Sequence, residues 1–597
     1  MSMIKKLFDL LTPGERGRAV MLVAIILVMA LLDAVGVASI MPFMAVLANP
    51  QLVQTNSFLA KLYQFSGAAG VQGFLFTLGL LVFLLLVVSL IFKAITTYAL
   101  VRFTLMHECS IGQRLLAAYL NQPYVWFLNR HSSELGKTIL SEVTNVVHGG
   151  LVPMMTLIAQ SIVSAALILL LFFVDPVLAL SVCTALGASY LIVYRFMKRY
   201  LSNIGKERLE ANRARFSVVS EALGAVKEVK LGGLEESYVS RFAKPAYIYA
   251  KDNAAAHTVS QLPRFALEAV AFGGMLLLVL YLMVSSGDFT SAIPIIAVYA
   301  LAGYRLMPAL QQVYASISQL RFVGPAIDAL HEDLVGLPQP PLQLNIEGRP
   351  KLERLISLKN IEFAYPNSQK FALLNINLDI PAQSTIGLVG ATGSGKTTLV
   401  DLILGLLEPQ RGSYIVDNNV SIGNENRRAW QRMLGYVPQQ IYLIDDSVAA
   451  NIAFGVKPAD IDWDALHRAA KIANLHEFVM NDLVSEYQTL VGERGVRLSG
   501  GQRQRIGIAR ALYHKPQILI LDEATSALDN LTEQAVMEAV TNLHNDITII
   551  LVAHRLSTVR LCDQIILLEK GEIKARGNFT QLMENSQVFR AMATVNV

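Results

Sequence analysis

Long, sparsely charged apolar runs dominate the first 310 residues, whereas the remainder alternates short apolar runs with glycine-bearing and polar segments. Six of the long runs, at residues 20–47, 73–100, 151–174, 176–197, 265–285 and 291–310, have the length, about 20 residues, that crosses roughly 30 Å of hydrocarbon as a helix. The second is clearest, because residues 74–92 carry no charge at all. Between the second and third runs, and again between the fourth and fifth, polar stretches predict helices continuing into water, with turns at residues 121–127 and 221–228. Further on the pattern changes. Ile386, Gly387, Leu388 and Val389 form a short apolar run followed by a glycine loop and then by helix-prone residues 399–404. This is strand, loop, helix. Residues 518–521 and 547–552 read as two more buried strands, because continuous short apolar runs mark the interior of a parallel sheet. The pattern predicts a helical membrane domain at residues 1–335, a Pro- and Gly-marked linker at 336–351 and an α/β domain at 352–597.

Composition supports the membrane reading. Of 597 residues 53% are hydrophobic and the mean hydropathy is +0.45, high for a water-soluble chain, while charged residues make up 16%. A net charge of +4 gives no argument for nucleic acid. Basic residues set the orientation: Lys5, Lys6, Arg16 and Arg18 precede the first run and Arg195, Lys198, Arg199, Lys206 and Arg208 follow the fourth, whereas the opposite loops hold only Lys61. Both ends are therefore expected in the cytoplasm, with the chain in the cytoplasmic (inner) membrane. Residues 1–11 read as an interfacial elbow helix and not as a secretory signal. Cys109, Cys183 and Cys562 are not placed for a disulfide, as in a reducing compartment.

The glycine loop carries chemistry. Gly390, Ala391, Thr392, Gly393, Ser394, Gly395, Lys396, Thr397 and Thr398 fit the pattern in which backbone N–H groups and a helix N-terminus cradle phosphates. Lys396 would reach the β- and γ-phosphates, and the Thr397 hydroxyl would ligate Mg²⁺. Asp522 and Glu523 end the strand at 518–521, where an α/β sheet binds its ligands. Asp522 is expected to hold Mg²⁺ through water, and Glu523 to orient the water that attacks the γ-phosphate. A second anion-seeking helix start is formed by Ser499, Gly500, Gly501 and Gln502 after Leu498. ATP and Mg²⁺ are the ligands these groups call for.

Leu498 to Gln502, with the phosphate loop and the Asp522–Glu523 pair, resembles the nucleotide-binding domain of ATP-binding-cassette (ABC) transporters, for which LSGGQ is the signature. The resemblance implies six transmembrane helices fused to an α/β P-loop ATPase. It makes Tyr365 the aromatic that stacks on adenine, Gln439 a contact to both Mg²⁺ and the coupling surface, and His554 the switch histidine at the γ-phosphate. Ser526–Asp529 resembles the loop that runs between two such domains, and Thr489–Gly495 the segment found in exporters. In the family the LSGGQ of one subunit closes on the phosphate loop of another, which implies pairing. Intact motifs favour a homodimer; a heterodimer with a degenerate partner stays open.

Ionisable groups inside apolar runs are costly and therefore functional candidates. Lys93, Arg264 and Arg305 are the cations in question, with Glu268 one turn from Arg264 and Asp33 a counter-ion for any of them. Such cations would suit an anionic headgroup such as a pyrophosphate. Asp33–Phe43, Pro263–Glu268 and the Arg305 segment also resemble PglK-type flippases, which turn lipid-linked oligosaccharides over. The expectation is an ATP-driven exporter or flippase of an anionic amphipathic lipid, lipid-linked oligosaccharide first. Export of peptides, drugs or other lipids, and ATP-gated channel activity, remain alternatives.

Overall fold

The computed structural model describes the chain except residues 1–2, 68–69, 286–288, 338–350, 367, 418–419, 424, 525–529, 542, 544–545, 554, 557 and 596–597, and except some side chains within 182–196 and 266–295. The chain divides into two compact units, residues 1–122 with 130–340, and residues 123–129 with 341–597.

In the first unit a short helix α1 (Met3–Asp9) precedes the long helices α2 (Pro13–Ala38), α3 (Ile40–Ala48), α4 (Val71–Leu120), α5 (Val152–Val174), α6 (Pro176–Gly224), α7 (Glu235–Ser285) and α8 (Phe289–Val335). Local chemistry fixes their starts. Thr12 and Glu15 form a reciprocal capping box ahead of α2, with Pro13 in the first turn. The Asp175 carboxylate accepts from Val177 N and Leu178 N, and Pro176 follows it, so the chain turns within one residue between α5 and α6. The first apolar run is not one helix, as its pattern predicts. It breaks at Ser39: Pro42 has no N–H to give Ala38 O, and the Ser39 hydroxyl donates to Gly36 O. Among the described residues three helical stretches, 13–48, 71–120 and 132–174, are long and apolar enough to cross a membrane. Phe76, Phe83, Leu84 and Ile91 of α4 are exposed on its flank, an arrangement that only lipid makes favourable.

The predicted elbow is a helix with Leu7 fully buried, and Lys6 reaches Asp328 of α8 at 2.6 Å. Toward the polar ends the helices pack backbone to backbone: a Cβ on Gly205 of α6 would collide with the Phe322 carbonyl of α8. Beside it Arg208 and Glu142 form a buried pair at 3.1 Å, Asn212 donates to Glu142 at 2.7 Å, and Phe322 lies under the Arg208 guanidinium. The turn predicted at 221–228 is a break at Ala225 followed by a short helix, Val226–Gly232. Leu231 there is 89% exposed.

The second unit is α/β. Strands β1 (Leu355–Phe363), β2 (Leu373–Pro381), β4 (Arg411–Val416) and β5 (Val420–Ser421) form an antiparallel sheet in the order β2-β1-β4-β5. Strands β3 (Thr385–Val389), β6 (Leu434–Val437), β7 (Ile518–Asp522), β8 (Thr548–Val552), β9 (Gln564–Glu569) and β10 (Glu572–Gly577) form the second sheet, in the order β10-β9-β3-β8-β7-β6. All but β10 run parallel in it. β3, β7 and β8 are buried along their whole length, as their uninterrupted apolar runs predict. The segment Pro123–Asn129, which overlaps the tip read from the sequence at 121–127, belongs to this unit, and Val125 packs beside its core.

Candidate functional site

The parallel strands deliver the candidate groups to one edge of the sheet. β3, β8, β7 and β6 are consecutive neighbours, and their carboxyl ends lead into Gly390, Ala553, Glu523 and Gln439 respectively. The glycine loop after β3 runs into helix α9 (Lys396–Ile403). Two of its glycines are obligatory. Gly390 has φ +155° and a Cβ there would meet the Leu568 carbonyl and Ser394 Oγ; Gly395 has φ +105° and a Cβ would lie 2.8 Å from Ala372 O. Lys396 lies folded across the loop, with Nζ donating to Gly390 O at 2.8 Å and Ala391 O at 3.2 Å. Ser394 Oγ is buried and has no hydrogen-bond partner among the described residues. A loop with an orphaned hydroxyl and an ammonium bonded only to neutral carbonyls is prepared for an anion.

Glu523 follows β7 with φ +51°, a region that costs a side-chain-bearing residue about 1–2 kcal/mol. Glu523 N donates to Val552 O at 3.1 Å, and its Oε2 accepts from Gln439 Nε2 at 2.7 Å. Two candidates far apart in sequence are thus joined. Asp522 is buried, with the Tyr436 hydroxyl 3.4 Å from its Oδ2. Thr397 is exposed at the loop. The Tyr365 hydroxyl is 3.1 Å from Thr398 Oγ1 and its half-buried ring stands edge-on to Phe363, so this aromatic sits beside the first turn of α9. His554 lies outside the described residues.

Sequence reasoning missed Asp401, one helical turn after Thr397. It is buried on α9, and that burial, together with the Asp522 charge, pushes its carboxyl up from 3.8 to about 6. The Tyr124 hydroxyl on segment 123–129 is likewise pushed above its ordinary value by burial, the Asp401 carboxylate and Tyr365. A four-residue step from Thr397 was the available signal. Since the folded pKa exceeds the unfolded one, ionised Asp401 is a penalty fully present above about pH 6 and absent below about pH 4. Asp401→Asn should raise the thermal midpoint of the nucleotide-free, full-length protein at pH 8 by an amount equivalent to at most about 3 kcal/mol. The gain should shrink as the pH falls through 6; an unchanged midpoint at pH 8 would show that the carboxylate is compensated.

Ser499, Gly500, Gly501 and Gln502 open helix α10 (Gly500–Tyr513). Ser499 Oγ accepts from Gln502 N, and Gln502 Oε1 accepts from Ser499 N. Ser499 is exposed, and among the described residues no hydrogen bond joins this turn to the loop 390–397.

In the first unit the three candidate cations all have carboxylate partners. Arg264 Nε donates to Glu268 at 2.7 Å, while Arg305 and Lys93 share Asp33. A cavity of about 500 Å³ opens between α5, α7 and α8, lined by Arg264, His257, Gln261, Gln311, Gln312 and Gln319 among others.

Comparison with known proteins agrees with this geometry. The ABC transporter family matches residues 373–526, and the ABC transporter transmembrane region matches residues 38–307. The leukotoxin translocation ATP-binding protein LktB of Mannheimia haemolytica is 30% identical over 518 residues, 84% of this chain and 70% of that protein. The chain belongs to the ABC transporter family. LktB of Mannheimia glucosida matches to the same extent. A solved structure of a bacterial Atm1-family ABC exporter with ATP bound shares the fold, with a TM-score of 0.80 at 22% identity over 98% of this chain and 99% of that one. This ABC exporter is a membrane protein whose ATPase domain binds ATP and couples its hydrolysis to transport.

Proposed function

We propose that two copies of this exporter form a flippase for an anionic amphipathic lipid in the cytoplasmic membrane, both ends of each chain lying in the cytoplasm, and that the cargo is a lipid-linked oligosaccharide. The observation that carries the cargo reading is the cavity between α5, α7 and α8. Its glutamine amides offer donors and acceptors in pairs, as a polyhydroxylated headgroup requires, and Arg264 adds a bidentate donor for phosphate.

The placement of these groups at one sheet edge supports nucleotide roles for them. Gly390–Thr398 and Lys396 hold the phosphates, and Glu523, held by Gln439, orients the attacking water. The family resemblance adds Tyr365 at adenine and His554 at the γ-phosphate. Thr397, Asp522 and Gln439 offer only oxygen ligands, the hard donor set that Mg²⁺ takes. Bound Mg²⁺ would neutralise charge on the β- and γ-phosphate oxygens. Two features support pairing of copies: the exposed turn at Ser499–Gln502, which has no phosphate loop of its own chain bonded to it, and the apolar tip around Leu231, left uncovered within its own unit. The segment 123–129 rests on the ATPase of its own chain; the tip at 226–232 would dock on that of the second copy.

In vesicles holding the purified protein, a labelled polyprenyl-pyrophosphate glycan should cross the membrane only with ATP. Arg264→Ala should slow the crossing by about tenfold or more, as loss of a hydrogen bond to a charged group implies. Full-rate crossing in that variant would remove the anionic cargo. The LktB relatives favour a second reading, export of a polypeptide. Uphill peptide accumulation without lipid movement would establish it instead.

A further inference from the structure

In the first unit the two least exposed of the three candidate cations, Arg305 and Lys93, already hold an anion, and that anion belongs to the protein. Asp33 of α2 is 1% exposed. Its Oδ1 accepts from Ser89 Oγ of α4 at 2.6 Å and from Arg305 Nη1 of α8, and its Oδ2 lies 3.8 Å from Lys93 Nζ of α4. The approach that allows this is built in. One turn on from Asp33, a Cβ on Gly36 would touch Leu86 at 3.4 Å and the Ser89 Cβ at 4.0 Å, so α2 and α4 meet closely where Ser89 must reach the carboxylate.

The two cations are not held alike. Arg305 is bonded directly and its side chain is 11% exposed, whereas Lys93 is 38% exposed and stands beyond hydrogen-bond distance. Asp33 Oδ2 correspondingly has no hydrogen-bond partner among the described residues. Two cations on one carboxylate leave a single positive charge uncompensated, and in a medium of low dielectric such a surplus attracts an anion strongly. A plain structural clamp between helices would need only one cation.

We infer that Asp33 is a resident counter-anion, which occupies Arg305 and Lys93 in place of the cargo's phosphate and from which the cargo takes them over. The inference rests on the anionic-cargo reading above. Displacement of this kind sets a threshold: a headgroup of several negative charges outcompetes one carboxylate, while a lipid of single negative charge does not. It also permits release, because Asp33 recaptures Arg305 as the headgroup leaves, so that neither member of this buried pair is left unpaired.

The test uses the full-length protein in lipid nanodiscs. The probe is labelled polyprenyl pyrophosphate, with polyprenol as the uncharged comparison and phosphatidylglycerol as the singly charged one. Asp33→Asn raises the local charge by one, Lys93→Met lowers it by one, and the double variant restores the wild-type balance. Affinity for the pyrophosphate should rise about tenfold in Asp33→Asn and fall about tenfold in Lys93→Met. The double variant should return to the wild-type value, and Asp33→Asn should also begin to retain phosphatidylglycerol. Unchanged or weaker binding in Asp33→Asn overturns the counter-anion role. If that variant does not fold, the comparison of Lys93→Met with the double variant decides, and equal affinities overturn it. A wild-type protein that does not prefer the pyrophosphate over polyprenol removes the anionic cargo itself, whereas such a preference with no gain in Asp33→Asn removes the counter-anion alone.

Discussion

The Glu523→Gln exporter is expected to bind ATP as the wild type does and to hydrolyse it about 10²–10⁴-fold more slowly, the range that loss of a positioned base produces. Glu523 stands at the carboxyl end of β7 in a left-handed backbone conformation that its side-chain type avoids, and Gln439 from the end of β6 donates to its carboxylate at 2.7 Å. The strained backbone together with the Gln439 bond fixes where the carboxylate stands at the edge of the sheet. Glutamine has the same shape, and its amide oxygen still accepts from Gln439, so the loop and the phosphate cradle are untouched. What disappears is the negative charge that polarises water. Equilibrium binding of a fluorescent ATP analogue and steady-state phosphate release, measured on the same preparation, separate the two effects. Near-normal turnover would assign the attacking water to another group.

The ATPase was legible because its information is local. A strand, a glycine loop and a helix start lie within Thr385–Ile403, and a buried strand hands over directly to Asp522 and Glu523, so short patterns carry both geometry and chemistry. The Arg264–Glu268 pair was readable for the same reason, being one turn apart on α7. Asp33 shows where legibility ends. Its value as a counter-ion follows from composition, but the choice of Arg305, 272 residues away, depends on which faces of α2, α4 and α8 meet. Apolar runs specify that helices exist, not how they are rotated about their axes. The π-helical stretches Thr138–Glu142 and Val147–Leu151 escaped notice likewise. Asp401 was missed for a different reason: a carboxylate among aliphatic residues of a helix reads as solvent-facing, and only the fold shows that it is buried, with the Asp522 charge acting on it.

Lys396→Met should abolish measurable hydrolysis and lower ATP affinity about 100-fold, yet leave the nucleotide-free protein as stable as the wild type or more so. Lys396 is buried, and among the described residues it hydrogen-bonds only to the Gly390 and Ala391 carbonyls of its own loop. Burial lowers the pKa of its ammonium group, although Glu523 and Asp522 act the other way. A charge held in this manner is a cost to the empty protein that phosphate binding offsets; a 100-fold affinity loss is about 2.7 kcal/mol, within the range of about 1.5–3 kcal/mol for one charge-assisted contact. Methionine fills a similar volume without the charge, so the empty loop loses two hydrogen bonds and a desolvation penalty together. Ligand linkage makes the difference visible: at ATP concentrations about 100 times the dissociation constant, the wild type gains about 2.7 kcal/mol, whereas a 100-fold weaker binder gains about 0.4 kcal/mol. Thermal unfolding of the two full-length proteins, with and without ATP, should therefore show a large nucleotide-induced rise only in the wild type. A variant that keeps the full rise would place the phosphate contact elsewhere in the loop, and one that unfolds far earlier when empty would make Lys396 a structural brace.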